Sequence, residues 1–187
     1  MRSVPWPFVA LLVVVATACA PRSSAADPTP KPAQASAGID AVPDLRAPRE
    51  GLLTAAQPPV GAWKALAEQG VVAVVNLRPD DEQPGRDEQA EVAAAGMAYH
   101  HLPVAGAEGL NRADAARLWA LVGGAPGKVL VHCASGNRAG ALLALGAADS
   151  GEMTPEQALA FGRSAGLTSP KLEAVVRERL ALPASGE

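Results

Sequence analysis

The sequence predicts an α/β fold, a mostly parallel sheet with helices on both faces. Two observations carry this. Short apolar runs such as Val71 to Leu77 and Val129 to Val131 alternate with longer stretches of helical pattern, as in a parallel sheet covered on both sides. The second run leads through His132 and Cys133 into a short Gly-containing loop and then an Ala/Leu-rich helix. Sheets of this class hold their ligands at such strand ends.

Residues 1–20 read as an export signal. Arg2 supplies the positive start, Phe8 to Val15 the apolar stretch, and small residues follow. That stretch is too short for a permanent membrane-spanning helix. Ala16-Thr17-Ala18-Cys19 is similar to a bacterial lipoprotein signal, with Ala16 in place of the usual Leu. Lipidation of Cys19 is preferred over plain cleavage near Ser24-Ala25-Ala26, and either exit implies a periplasmic or outer-face protein. Residues 21–43 are rich in Pro, Ala and Ser and read as a disordered tether. The folded domain is expected over 44–182, with 183–187 as a tail.

Within the domain, Leu52 to Gln57 reads as a strand stopped by Pro58-Pro59, and Gly61 to Gln69 as a helix stopped by Gly70. Trp63 and Leu66 face the core. Val71 to Leu77 is a strand, Asp80 to Asp87 a charged loop, Glu88 to Ala95 a helix and Met97 to Val104 a strand. Asn111 or Asp114 caps a helix through Val122, which Gly123-Gly124 ends. After the central strand, a helix is expected from Arg138 to Asp149. Thr154-Pro155 starts the next, and Ser169-Pro170 the last, ending near Leu182.

Composition narrows the function. Aromatic residues make up 3% of the chain, so the core is built from Ala, Val and Leu. The net charge is −3, and no basic patch with interleaved aromatics points to nucleic acid. Of the two cysteines, Cys19 and Cys133, only Cys133 remains as a thiol in a lipidated or processed protein. In an exported domain a structural cysteine would have a partner. A lone Cys beside His132, Gly136 and Arg138 reads instead as a reagent. The loop amides and the following helix N-terminus form an anion cradle. With Arg138 they lower the thiol pKa and make Cys133 a nucleophile.

The other loop residues follow from that chemistry. Arg138 holds anionic substrate oxygens with its planar fork. His132 orients the loop. Ala134, Ser135, Gly136 and Asn137 line the cradle; Ser135 is equally readable as a plain loop residue and Asn137 as a brace. Gly136 permits a positive φ. Gln57 and Arg78 lie at strand ends on the ligand side, where substrate contact and structural hydrogen bonding are both open. Asp80, Asp81 and Glu82 read as a solvated charged turn. His100 and His101 point to opposite sides of a strand. Three His, one mature Cys and no ligand spacing argue against a metal, and no cofactor is expected.

Four strings together carry a family resemblance: Thr54-Ala55-Ala56-Gln57-Pro58, Val75-Asn76-Leu77-Arg78-Pro79-Asp80-Asp81-Glu82, His100-His101-Leu102-Pro103-Val104 and His132-Cys133-Ala134-Ser135-Gly136-Asn137-Arg138. They resemble the phosphatase-like domain of the beta-lactamase-hydrolase-like proteins, the DUF442 family, which is related to dual-specificity and tyrosine phosphatases. The resemblance covers the whole expected domain and implies a dual-specificity-phosphatase-like fold. It implies hydrolysis of a phosphate monoester through a phosphocysteine on Cys133.

Two departures stand out. Tyrosine phosphatases place five residues between the Cys and the Arg, whereas four separate Cys133 from Arg138. That is a rhodanese loop length. The loop where such phosphatases carry an Asp general acid reads Ala105 to Leu110 and holds no Asp. Glu108 is the candidate there, with Asp114 a distant second. General acid catalysis is worth about 10²–10⁴-fold, and persulfide transfer does not need it. The alternatives are therefore a sulfurtransferase carrying a persulfide on Cys133, and an inactive anion-binding module. In each case the partner is a small anion, a phosphate ester or a sulfane-sulfur donor.

Overall fold

The computed structural model describes residues 38–184. The expected signal, Cys19, most of the tether and the last three residues lie outside the described residues. The described residues include structured chain ahead of the expected boundary at Asp44. Ile39–Ala41 forms a 3-10 turn, and Val42 is buried against the domain.

Five strands form one sheet: β1 (Arg46–Arg49), β2 (Leu52–Ala55), β3 (Val71–Asn76), β4 (Ala98–His101) and β5 (Lys128–His132). Their order is β1-β2-β5-β3-β4. Every pairing is parallel except β1 with β2. The sequence reading missed β1. It carries Pro48 and charged Arg46 and Arg49, a pattern without apolar alternation that suits only an edge strand.

The helices are α1 (Trp63–Glu68), α2 (Glu88–Ala94), α3 (Arg112–Gly124), α4 (Asn137–Asp149), α5 (Pro155–Ser164) and α6 (Pro170–Arg179). Alternate strand residues feed two cores. Leu130, Val74 and Ala55 pack with Trp63, Leu66 and Val92 of α1 and α2. Val129, Val131 and Val75 pack on the other face with α3 to α6. Helix α4 is buried along nearly its whole length, from Arg138 to Ala147, which explains its unbroken Ala/Leu composition.

Capping sets the helix starts. Asn111 accepts from the Asp114 amide at 2.8 Å and caps α3. Thr154 and Gln157 form a reciprocal capping box on α5. Helix α3 runs on through Gly123 and Gly124 and stops at Ala125, before Pro126. Strand β4 is shorter than expected, ending at His101 although the Leu102 and Val104 amides still bond the Asn76 and Leu77 carbonyls, with Pro103 between them supplying no N–H. Helix α4 differs from these neighbours. Its N-cap is Gly136, at φ +78°, with no side chain on its first amides.

Candidate active site

Parallel pairing aligns the C-terminal ends of the strands. Ala55, His132, Asn76 and His101 fall in one row across β2, β5, β3 and β4. Beyond that row the chain leaves β5 at Cys133, makes a bridge from Ser135 to Ala56, and turns into α4. Ala134 and Ser135 are exposed. Cys133 lies beneath them, a free thiol with no exposed surface.

Arg138, one residue into α4, turns back beneath the loop and is 8% exposed. Its Nη1 and Nη2 donate to Glu82 Oε1 and Oε2 at 2.8 and 2.7 Å. Nη1 also donates to the Val104 carbonyl at 2.9 Å. Asp80 and Asp81 are exposed as a solvated turn would have them, but Glu82 is only half-buried at the surface and is paired rather than free. It sits in a 3-10 turn, Asp80–Glu82, whose last side chain grips the end of the guanidinium. Hydrogen bonding from Arg138 holds the Glu82 carboxyl below its ordinary pKa against the opposing effect of burial. Burial works against the charge on Arg138, but Glu82 and the neighbouring Cys133 sulfur more than offset it and raise its pKa. Arg138 thus spends one fork on Glu82 and keeps the Nε side for another acceptor.

On the other side of Cys133, His132 is fully buried and its Nε2 meets Glu88 Oε1 at 2.8 Å. Glu88, the first residue of α2, is also buried. Its Oε2 accepts from Gln57 Nε2 at 2.6 Å. Gln57 Oε1 in turn accepts from Arg78 Nη1 at 2.5 Å, and Arg78 reaches Glu82 through Nε at 3.4 Å. Both strand-end residues are therefore held by protein partners. Burial pushes the Glu88 carboxyl up, but the hydrogen bonds from His132 and Gln57, with the charge of nearby Arg86, bring its pKa below the ordinary value.

A model of the beta-lactamase hydrolase-like protein phosphatase-like domain matches residues 44–150. This chain belongs to that family. A beta-lactamase hydrolase-like protein from Xylella fastidiosa (strain Temecula1 / ATCC 700964) is 38% identical over 121 residues, 63% of this chain and 28% of the relative. The aligned part thus spans just over a quarter of that longer protein. A solved DUF442 protein from Shewanella putrefaciens CN-32 superposes with a TM-score of 0.61 at 27% identity, covering 76% of this chain and 95% of that one. TpbA from P. aeruginosa, solved in complex with pTyr, gives a TM-score of 0.60 at 22% identity, covering 81% and 91%. The last likeness is one of fold: the mostly parallel α/β sheet is that of the cysteine phosphatases.

The remaining positions of this phosphatase-like domain have defined places. Asn137 is a brace: its Oδ1 accepts from the amides of Thr168 and Ser169 at 2.8 and 2.6 Å, tying the loop to the α5–α6 connection. Its Nδ2 lies 3.3 Å from Ser135 Oγ. Glu108 is not gathered into the site. It sits in an exposed turn, 3.4 Å from Lys171 of α6. A hydrogen bond from its own amide, then Lys171, lowers its pKa, so it is ionised at neutral pH and holds no proton to donate. His101 Nε2 bonds the Arg78 carbonyl at 2.7 Å. Among the described residues, no three His, Cys, Asp or Glu side chains converge to hold a metal.

Sequence reasoning missed Glu82 and Glu88. The available signal was conditional. A buried cation and a buried strand-end His each need an acidic partner, and the adjoining segments are acidic.

Proposed function

We propose that this domain hydrolyses a small phosphate monoester through a phosphocysteine on Cys133. The observation that carries the reading is the guanidinium of Arg138. Glu82 fixes its Nη1–Nη2 end, the Cys133 sulfur lies near the guanidinium, and no oxygen of a described residue accepts from its Nε. That edge suits two oxygens of a phosphoryl group. The uncapped first amides of α4, behind Gly136, suit the third.

In the first step the Cys133 thiolate attacks phosphorus and the P–O bond to the leaving group breaks. The leaving oxygen departs with the electron pair and takes a proton from solvent. Arg138 and the loop amides stabilise charge on the remaining oxygens. Water then attacks phosphorus, the P–S bond breaks, and inorganic phosphate leaves with Cys133 restored. With no acid placed at the leaving group, aryl phosphates are the favoured substrates. The thiol is enclosed, so the exposed Ala134–Ser135 segment must admit the anion.

One specific feature favours a second reading, sulfur transfer: the four-residue loop, with Glu108 turned to solvent. Cys133 would take a sulfane sulfur from thiosulfate, release sulfite, and pass the sulfur to cyanide or a thiol. The deciding experiment assays the full chain on an aryl phosphate, and separately on thiosulfate plus cyanide, with Cys133→Ser as control. Phosphate release that requires Cys133 supports hydrolysis. Thiocyanate alone supports sulfur transfer, and sulfate binding without turnover supports an anion-binding module. In the same assay Glu108→Gln tests the sequence-based acid: a rate within about twofold of wild type removes that role, and a loss of 10²-fold or more restores it.

A further inference from the structure

Glu88 and His132 form a buried pair that attack by Cys133 does not itself use. Their side chains are 2% and 0% exposed. Buried ion pairs add little net stability over apolar residues of the same size. This pair also leaves His132 Nδ1 buried without a hydrogen-bonding partner among the described residues. A stability role alone therefore accounts poorly for it.

We infer that Glu88 is a positioning residue for the Cys133 loop: it holds the ring of His132 by Nε2 and, in series with Gln57, Arg78 and Glu82, ties that ring to the guanidinium of Arg138. His132 and Arg138 bracket the loop, one immediately before the nucleophile and one at the start of α4. The links are His132 to Glu88 at 2.8 Å, Glu88 to Gln57 at 2.6 Å, Gln57 to Arg78 at 2.5 Å, Arg78 to Glu82 at 3.4 Å and Glu82 to Arg138 at 2.7 Å. The polarity of this series is set from both ends. Arg78 only donates, so Gln57 presents its oxygen to Arg78 and its N–H to Glu88. An ionised Glu88 only accepts, so His132 donates from Nε2. That contact is the ring's sole hydrogen bond among the described residues.

The inference rests on Cys133 as the nucleophile and extends to side chains that never touch the substrate. Glu88→Gln places an amide between two donors, Gln57 Nε2 and His132 Nε2: either one link breaks or the imidazole proton moves to Nδ1, and in both cases His132 Nε2 no longer donates to a carboxylate. Gln57→Glu combined with Glu88→Gln restores each link of the series, because the carboxylate at 57 accepts from Arg78 and from the amide at 88, whose oxygen accepts from His132; only the 3.3 Å hydrogen bond from Gln57 Nε2 to the Pro58 carbonyl is lost. In the full chain, Glu88→Gln is expected to lower kcat on an aryl phosphate about 10- to 100-fold, with KM nearly unchanged. Carboxymethylation of Cys133 by iodoacetate, read on the Cys133 peptide, should slow with it. The double variant should recover most of both rates. The inference is overturned if Glu88→Gln, melting like wild type, keeps both wild-type rates, or if the double variant stays as slow as the single one. Should Glu88→Gln not fold, Gln57→Ala breaks the same series at a half-buried link, and unchanged rates there overturn it equally. A wild-type chain that releases no phosphate defeats the proposed hydrolysis, while the alkylation rates still decide the positioning role.

Discussion

Arg138 shows how one side chain divides its work. Glu82 and the Val104 carbonyl take three of its N–H groups, which orients the guanidinium before any anion arrives. Preorganisation of this kind is what electrostatic catalysis requires. Replacing Glu82 with Gln leaves an amide N–H facing the guanidinium. Steady-state kinetics should then show a loss of about 10- to 100-fold in kcat/KM on an aryl phosphate; an unchanged value would mean that Arg138 is oriented without it. Arg138→Lys cannot reproduce the two forks and should lose more than Glu82→Gln in the same assay. A different residue contributes to acid stability. Glu173, hydrogen-bonded by Arg163 and Arg177, has its pKa lowered to about 2. Its folded value lies below its unfolded one, so its contribution is complete above the ordinary carboxylate value and disappears as pH falls toward 2. Urea unfolding followed from pH 6 down to 2.5 should show a decline that is shallower in Glu173→Gln.

At the scale of elements, α4 is the piece on which the site depends, and its packing is unusually close. A Cβ on Gly140 would lie 2.4 Å from the Gly162 carbonyl oxygen of α5 and 2.5 Å from the Leu167 amide. Backbone cannot give way cheaply there. Gly140→Ala should destabilise the fold by about 1–3 kcal/mol or more, measured by denaturant midpoint. It should also slow turnover, because α4 carries Arg138. Thr154→Ala, at the capping box of α5, should cost about 1 kcal/mol and leave kcat unchanged, since α5 supplies nothing to the loop directly. The helix starts were legible in sequence because Asn111, Thr154-Pro155 and Ser169-Pro170 are local signals. Strand β1 was not, because an edge strand with Pro48 and two arginines is recognised only by the neighbour it pairs with.

At the scale of the whole molecule, two sheet faces carry two cores, and one sheet end carries the candidate site. Helices α1 and α2 cover the face that holds His132, and α3 to α6 cover the face that holds Cys133. A strand alternates its faces, so the histidine and the thiol on either side of the strand end draw on different cores. Among the described residues no helix is long and apolar enough to cross a membrane. We propose attachment to a membrane through a lipid on Cys19, the expectation drawn from residues 16–19. Full-length chain expressed in a bacterium should fractionate with membranes and become soluble on Cys19→Ala; equal solubility of the two would defeat that proposal.

Amino-acid order alone determined the α/β class, the strand that ends at Cys133, the loop of four residues and the helix behind it. Each depends on apolar periodicity and capping within a short stretch, and the four motifs made the family recognisable. The partners of the loop were decided only in three dimensions. Glu82 stands 56 residues from Arg138 and Glu88 stands 44 from His132, distances over which no local pattern speaks. Asp80 and Asp81 of the acidic segment are exposed, as the sequence suggested; what the sequence does not display is that Glu82 turns its carboxylate to Arg138. What brought it to the Cys133 loop was the parallel order β5-β3-β4, which sets the connection after β3 beside the loop after β5, where a buried guanidinium and a buried imidazole each needed a carboxylate.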